Sequence, residues 1–568
     1  MPCTENVASE DYADFITPYY NLPSEYLAEA YTDCVDFINH QYAVLYVPLN
    51  FVSPLSLSSF YYDTIPKLFS LQDSAGVEAT GISQAVRLPA LSNGGRGTLI
   101  GFIDTGIDYQ NPIFRNQDGS TRLLGIWDQT HGNGNTIPGN TFRTLYGTQY
   151  TQEQIDQALR SDDPFSVVPS RDENGHGTFL ASVAAGGVDE SAGFAGAAPK
   201  ASIAVVKLKP AKQYLRDFFQ IREGADAYQE NDIMMGITYL YALARQYFMP
   251  VVICLGLGTN QGSHDGISPL CTYLNEMSTF VGSAIIVSAG NETGYGHHYH
   301  GISTQGGTQN DVELRVGENE SGFSMELWAR NIELYRIGFV SPSGEIVREL
   351  PAISENEDVI TFLLDETEIN VFSSIVNVAT GNQLIFIRFK KPLPGIWHII
   401  VYSSIDIQGD FHIWLPSQGF ISDDTTFLRP DPDTLIMCPG NANYPITVAA
   451  YDYRTEGIYI HSSRGFSRSG QIKPEIAAPG VEILGAGTGA APFIRMTGTS
   501  AAAAYAAGAA AILLRWGILE GNDLFMTTSG IKSYFIRGAT RNPGLTYPNK
   551  EFGYGTLDLY QSFLSLRS

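Results

Sequence analysis

The chain reads Ile494-Arg495-Met496-Thr497-Gly498-Thr499-Ser500 and then, without a break, Ala501-Ala502-Ala503-Ala504-Tyr505-Ala506-Ala507-Gly508-Ala509-Ala510-Ala511-Ile512-Leu513-Leu514. Alanine is the strongest helix former and no proline interrupts the run, so the pattern predicts a helix that starts at or near Ser500. Its small side chains suit a helix buried tightly beneath strands. A serine on the first turn has its Oγ beside unsatisfied backbone N–H groups and the positive end of the helix dipole, where developing negative charge is stabilised. Two readings fit this stretch alone: a serine capping an ordinary helix, or a nucleophile whose own N–H lies in an oxyanion hole.

Outward from this helix, apolar runs that end in polar turns recur. Thr98–Ile103 is an apolar run of the kind found in buried parallel strands, and it ends in Asp104-Thr105-Gly106-Ile107-Asp108. That puts a carboxylate at the C-terminal edge of a strand, where open α/β sheets bind ligands. In Asp172-Glu173-Asn174-Gly175-His176-Gly177-Thr178, glycines flank a histidine at the entry to an apolar helix, Phe179–Ala185. Ala201–Leu208 reads as a strand and Asp232–Tyr247 as a helix with an acidic start. Val251–Leu255 and Ala284–Val287 read as strands that end in Gly256-Leu257-Gly258 and Ser288-Ala289-Gly290-Asn291. The alternation predicts an α/β fold with a parallel sheet and helices packed on it.

Two further textures flank this one. Residues 1–73 read as a small α+β unit, with helical spacing over Ser24–Asn39, a strand over Tyr42–Leu49 and another extended stretch within Tyr61–Leu71. Asp73–Gly81 reads as a short helix. From residue 311, about eight short strand-like runs follow one another to residue 415 with no convincing helix between them, the pattern of an antiparallel sandwich or jelly roll. A linker rich in Pro and Asp covers 416–434, after which the α/β texture returns. The expected organisation is therefore an N-terminal unit at 1–73, an α/β domain split into 74–310 and 429–568, and a β insertion at 311–428.

Asp104, His176, Asn291 and Ser500 each sit at a strand end or helix start beside glycine, and their chemistry is complementary. Ser500 would attack a carbonyl, and His176 would take its proton and return it to the leaving amine. Asp104 holds the imidazole tautomer, and the Asn291 amide joins the Ser500 N–H in binding the oxyanion. Ile103–Ile107, Asn174–Thr178, Ser288–Glu292, Lys473–Gly480 and Gly498–Ala501, in this order, resemble the motifs of the subtilisin-like serine peptidases. The resemblance covers roughly 74–310 and 430–568. It implies a subtilisin-like sheet with helices on both faces and a serine endopeptidase that needs no cofactor. It also implies that Gly256, Leu257 and Gly258 pair with substrate backbone and that Gly290 shapes the primary specificity pocket. A short N-terminal unit and a β insertion before the serine further resemble the Csp-type spore-germination subtilases. That likeness implies a prodomain at 1–73 that is cut off by self-processing and can stay bound, a jelly-roll insert and a protein or zymogen substrate. Some members of that group lack triad residues, and the other function class is a non-catalytic or self-inhibited regulator on the same scaffold. This chain keeps all three.

Processing is expected between Phe69 and Ser74. Phe69-Ser70-Leu71-Gln72-Asp73 contains no Pro or Gly, so it can extend beside Gly256–Gly258 over Ser500. The partners expected are a protein or peptide substrate and the chain's own prodomain. A formal charge of −25 without a long acidic run argues against nucleic acid. No run of about 18 apolar residues predicts a membrane span, and the N-terminus lacks a Sec-type signal, so a cytoplasmic or spore-associated location is expected. The five cysteines are scattered and odd in number, which fits free thiols in a reducing compartment. His297-His298-Tyr299-His300 reads as an exposed polar loop, and no metal is assigned.

Overall fold

Seven consecutive parallel strands form the centre of the molecule in a computed structural model that describes residues 4–20, 34–72, 93–132, 134, 146–303, 309–351, 356–403, 408–489 and 492–565. Their order is Ile476–Pro479, Ile446–Asp452, Ser283–Ser288, Val251–Leu255, Leu99–Asp104, Ser202–Lys207 and Leu123–Asp128. Antiparallel strands Gly457–Ile458 and Thr148–Thr151 pair with Ile446–Asp452 and Leu123–Asp128. Alternate residues of each strand serve opposite faces. Ile100, Phe102, Val252 and Ile286 join a core with the helices His176–Ala185 and Thr499–Leu514, while Leu99, Ile103, Ile253 and Ile285 join a second core with Glu230–Gln246 and Pro269–Met277. Helices therefore cover both faces, which is why the strands read as continuous apolar runs rather than alternating ones.

Every residue of Thr499–Leu514 is buried. A helix apolar on all sides belongs in a core, and alanine lets it approach its neighbours closely. At Gly508 even a methyl group would lie 2.3 Å from Ala197 Cβ. Thr499–Leu519 is also long and apolar enough to cross a membrane, but here it is the central helix of the fold, mostly enclosed by protein.

The N-terminal unit contains a three-stranded antiparallel sheet in which Tyr42–Pro48 lies between Tyr12–Pro18 and Val35–Phe37. Val35–Phe37 is a strand where the spacing suggested the end of a helix. The rest of that expected helix up to residue 33, and the one expected over 73–81, fall outside the described residues. Leu68–Leu71 leaves this unit and enters the α/β domain, pairing antiparallel with both Leu257–Gly258 and Tyr228–Gln229.

The inserted strands form two antiparallel sheets. One runs His298–Ser303, Gly409–Trp414, Gly322–Ala329, Gln383–Lys390, Thr367–Ser374, Asn356–Phe362, and the other is built around Tyr335–Val340, Gly395–Ser403 and Gln309–Val316. His298–Ser303 belongs to the first sheet, so pairing begins before the change in sequence texture at residue 311. His297 and His298 are buried, in contrast to the exposed loop read from the sequence, because that run enters a strand packed against the α/β domain. The N-terminal unit, the helix Gln213–Phe219 and the insert share one apolar cluster, including Phe15, Val47, Leu68, Phe218, Trp328 and Phe386. Glu326 of the insert sits at this junction and accepts from Tyr62 Oη (2.6 Å), Trp328 Nε1 (2.9 Å) and Gly262 N (2.9 Å).

The cysteines are not all the free thiols that their odd number suggested. Cys254, Cys271 and Cys438 are free and buried, but Cys34 is disulfide-bonded to a partner outside the described residues. The odd total concealed a pair.

Candidate active site

Asp104 is the last residue of the strand Leu99–Asp104, and His176 is the first of the helix that packs beneath it. Asp104 Oδ1 lies 2.6 Å from His176 Nδ1, with both side chains 1% exposed. The same oxygen accepts from Thr105 N at 2.8 Å and Thr105 Oγ1 at 3.2 Å. Because Nδ1 faces the carboxylate, Nε2 is the nitrogen left for proton transfer. The approach requires Gly177, where a Cβ would fall 2.2 Å from the Gly106 carbonyl oxygen.

Ser500, the second residue of the central helix, lies on the other side of the same point. A Cβ built on Gly256 would lie 3.0 Å from Ser500 Cβ and 3.2 Å from His176 Cε1. Glycine at 256 thus lets the strand Val251–Leu255 turn directly beside both groups. Asn291 follows the strand Ser283–Ser288, and its Oδ1 accepts from Thr499 N and Thr499 Oγ1, each at 3.1 Å. Thr499 Oγ1 in turn accepts from Gly290 N at 3.1 Å. With Oδ1 engaged, the Asn291 amide offers Nδ2 as its donor. Gly290 packs on Met437 and Ser463, and Gly256, Leu257 and Gly258 form the cleft wall.

That wall is filled by the chain itself. Leu71 pairs with Leu257 and Ser70 with Gly258. Gln72 N donates to the Gly256 carbonyl at 3.2 Å, and Ser500 N donates to the Gln72 carbonyl at 3.3 Å. The Gln72 side chain is also held, its Oε1 accepting from Asn291 N at 2.9 Å. Upstream, Leu68 N donates to Gln261 Oε1 (2.9 Å) and Lys67 N to Glu230 Oε2 (3.1 Å), while Lys67 Nζ is buried on the carbonyls of Tyr62 and Ile65, each at 2.7 Å.

Two carboxylates that motif reading did not single out organise the site. Asp172 accepts through Oδ1 from Thr105 Oγ1 and Gly175 N, and through Oδ2 from Thr178 N and Thr178 Oγ1, all at 2.7–2.8 Å. It fastens the Asp104 turn to the start of the histidine helix. Its sequence signal was a carboxylate just before a helix entry, which reads as a cap. Glu292, buried beside Asn291, takes His297 Nδ1 (2.7 Å) and Asn260 Nδ2 (2.9 Å) on Oε2, and Gln418 N (2.9 Å) on Oε1. It joins the Asn291 loop to the cleft wall and to the insert. The Lys473–Gly480 motif is structural: Lys473 Nζ meets Glu475 at 2.8 Å and the Pro445 carbonyl at 3.0 Å. Burial pulls the Lys473 ammonium down to about 8.

The model of the Subtilase family matches residues 95–320 and 365–555. The chain is similar to the CspB protease of Clostridium perfringens, with 30% identity and a TM-score of 0.74 over 85% of this chain and 98% of that one. It is also similar to two subtilisin-like proteases of Arabidopsis thaliana. SBT2.2 is 33% identical over 155 residues, which is 25% of this chain and 17% of the relative. SBT3.12 is 22% identical over 467 residues, which is 77% of this chain and 57% of the relative. The chain thus spans less than two thirds of the length of these plant relatives. The chain belongs to the subtilase family, and its likeness is to the Csp type.

Proposed function

We propose that this chain hydrolyses peptide bonds through Ser500, His176 and Asp104, that its first cut is made in itself after Gln72, and that the severed segment then restrains it. The observation that carries this reading is the Ser500 N–H on the Gln72 carbonyl oxygen (3.3 Å), with the preceding residues paired along Leu257–Gly258. A carbonyl held by that donor, at the end of a strand paired along Leu257–Gly258, supports the reading of Gln72 as the residue before the scissile bond.

The reaction follows from the groups present. Ser500 Oγ attacks the Gln72 carbonyl carbon while His176 Nε2 takes the hydroxyl proton. Asp104, 2.6 Å from Nδ1, stabilises the resulting imidazolium. The oxyanion is met by the Ser500 N–H and by Asn291 Nδ2. His176 passes its proton to the Asp73 nitrogen, the peptide bond breaks, and Gln72 remains as an ester on Ser500. Water, deprotonated by His176, then releases the Gln72 carboxylate.

Tethering supplies the segment at high effective concentration, which favours one intramolecular cut. Ordinary turnover requires the segment to leave, so the assembled chain is a self-inhibited enzyme. The bound segment also describes a protein or peptide substrate: an extended stretch with a bulky apolar residue in the place of Phe69 and glutamine in the place of Gln72. The test is hydrolysis of the acyl tetrapeptide Phe-Ser-Leu-Gln carrying a fluorogenic amine. Once the severed segment has been displaced, the native chain should release the amine at least a thousandfold faster than Ser500→Ala treated in the same way. Equal rates would refute the assignment of the nucleophile.

A further inference from the structure

Two strands of the insert carry a polar set that the peptidase chemistry does not use. His298–Ser303 and Gly409–Trp414 pair in the register His298↔Trp414, His300↔His412 and Ile302↔Asp410. Side chains alternate along a strand, so His298, His300, Asp410, His412 and Trp414 share one face. On that face two imidazole nitrogens converge on one oxygen: His300 Nε2 lies 3.2 Å and His412 Nε2 3.4 Å from Asp410 Oδ2.

The second nitrogen of each ring is already engaged. His300 Nδ1 is 3.6 Å from Asp431 Oδ2. His412 Nδ1 is 2.9 Å from His298 Nε2, and His298 Nδ1 is 3.2 Å from the Asp431 carbonyl oxygen. A carbonyl only accepts, so His298 carries a proton on Nδ1. His298 and His412 are 1% and 6% exposed, so the contacts that run from the Asp431 carbonyl through His298 to His412 are shielded from solvent and end where His412 Nε2 faces Asp410 Oδ2.

We infer that His300, Asp410 and His412 form a site for a divalent first-row transition-metal ion of the kind that takes two imidazoles and a carboxylate, zinc above all. A tetrahedral zinc with bonds of about 2.0–2.1 Å keeps its donors about 3.3 Å apart, and the two nitrogen–oxygen separations match that spacing. All three donor atoms lie within 4.8 Å of one another. The His300 and His412 rings are stacked face to face at 4.4 Å, so closure on an ion requires His300, the more exposed of the two, to tilt toward Asp410. The outer shell has the usual form, with each ligating imidazole supported at its other nitrogen. Asp410 Oδ1 is occupied separately, by Arg330 at 3.3 Å. His412 stacks near Trp414, and Trp414 stacks on His264 with ring centroids 4.1 Å apart. His264 is hydrogen-bonded to the carbonyls of Asn260 and Ile436. An ion here fastens the insert next to the cleft wall.

The test uses the full chain, stripped with a chelator and dialysed against zinc, with metal content and melting temperature measured. One zinc ion per chain and a rise in melting temperature are expected, and cobalt substitution should give visible absorption bands. His300→Ala, at a partly exposed position, and Asp410→Asn should each weaken zinc binding at least tenfold, with their metal-free melting and peptide hydrolysis showing that they remain folded. A stripped native chain that takes up no zinc, or a His300→Ala chain that takes up as much as the native one, would overturn the site.

Discussion

Asn291 is fixed at both ends of its short side chain and backbone: Thr499 engages Oδ1, and the backbone N–H holds the Gln72 side chain. Removing the amide while keeping the volume tests the part in oxyanion binding proposed for it. Asn291→Leu should lower kcat roughly a hundredfold or more and leave KM nearly unchanged, as steady-state kinetics on the tetrapeptide will show; a change confined to KM would mean the side chain only binds substrate. Asp172 makes a different case, because it touches no substrate atom. Asp172→Ala leaves Gly175 N, Thr178 N and Thr178 Oγ1 without this acceptor and Thr105 Oγ1 with Asp104 alone, at a cost of about 1–3 kcal/mol for each buried group left unpaired. Lower stability and a kcat reduced at least tenfold are expected, with denaturant melts and kinetics as the measurements. The catalytic candidates were legible because each combines a reactive group with a strand end or helix start and neighbouring glycine. Asp172 and Glu292 were not singled out, since a loop carboxylate that accepts backbone hydrogen bonds has no periodicity to mark it. Gln72 matters through its carbonyl, which every residue possesses.

At the scale of elements, the strand Leu68–Leu71 links the N-terminal unit to the cleft. Leu68 and Phe69 are fully buried, each contributing roughly 2–3 kcal/mol by burial of apolar surface. The unit is also held by Asp14, which is completely buried and meets Lys212 Nζ at 2.6 Å, Gln229 Nε2 at 2.9 Å and Asn231 Nδ2 at 3.2 Å. Breaking one side of a buried ion pair is costly, so Asp14→Ala should loosen the unit and raise tetrapeptide turnover, measured against the native chain under the same conditions; unchanged turnover would separate docking from inhibition. Asp36 sets a pH dependence. It is buried in Val35–Phe37, and burial pushes its carboxyl up to about 7. The fold accommodates the neutral acid, so this stabilisation is complete below the unfolded value near 4 and is lost as pH rises through about 7. Melts of Asp36→Asn and the native chain should converge toward pH 4, with the variant more stable by up to about 4 kcal/mol at pH 8. The sequence revealed the strand Tyr42–Pro48 through its apolar run. It misread Val35–Phe37, where helical spacing continued into residues that tertiary pairing draws into a sheet.

For the whole molecule, the parallel sheet and the two-sheet insert were legible from texture alone, because apolar runs between helices and closely spaced strands without helices leave different patterns. What texture cannot reveal is how the parts lock together. The shared cluster of Phe15, Leu68, Phe218, Trp328 and Phe386 joins three regions far apart in sequence, and Glu292 ties the Asn291 loop to the insert through Gln418. In this arrangement the segment paired with Leu257–Gly258, the unit that delivers it and the insert form one body, so the proposed cut after Gln72 would leave the N-terminal unit held in place. Intact-mass spectrometry of the purified native chain and of Ser500→Ala tests that account most directly. The native chain should give two co-purifying fragments, the larger beginning at Asp73, and Ser500→Ala a single uncut chain. A native chain that stays whole, or a Ser500→Ala chain cut at the same bond, would contradict it.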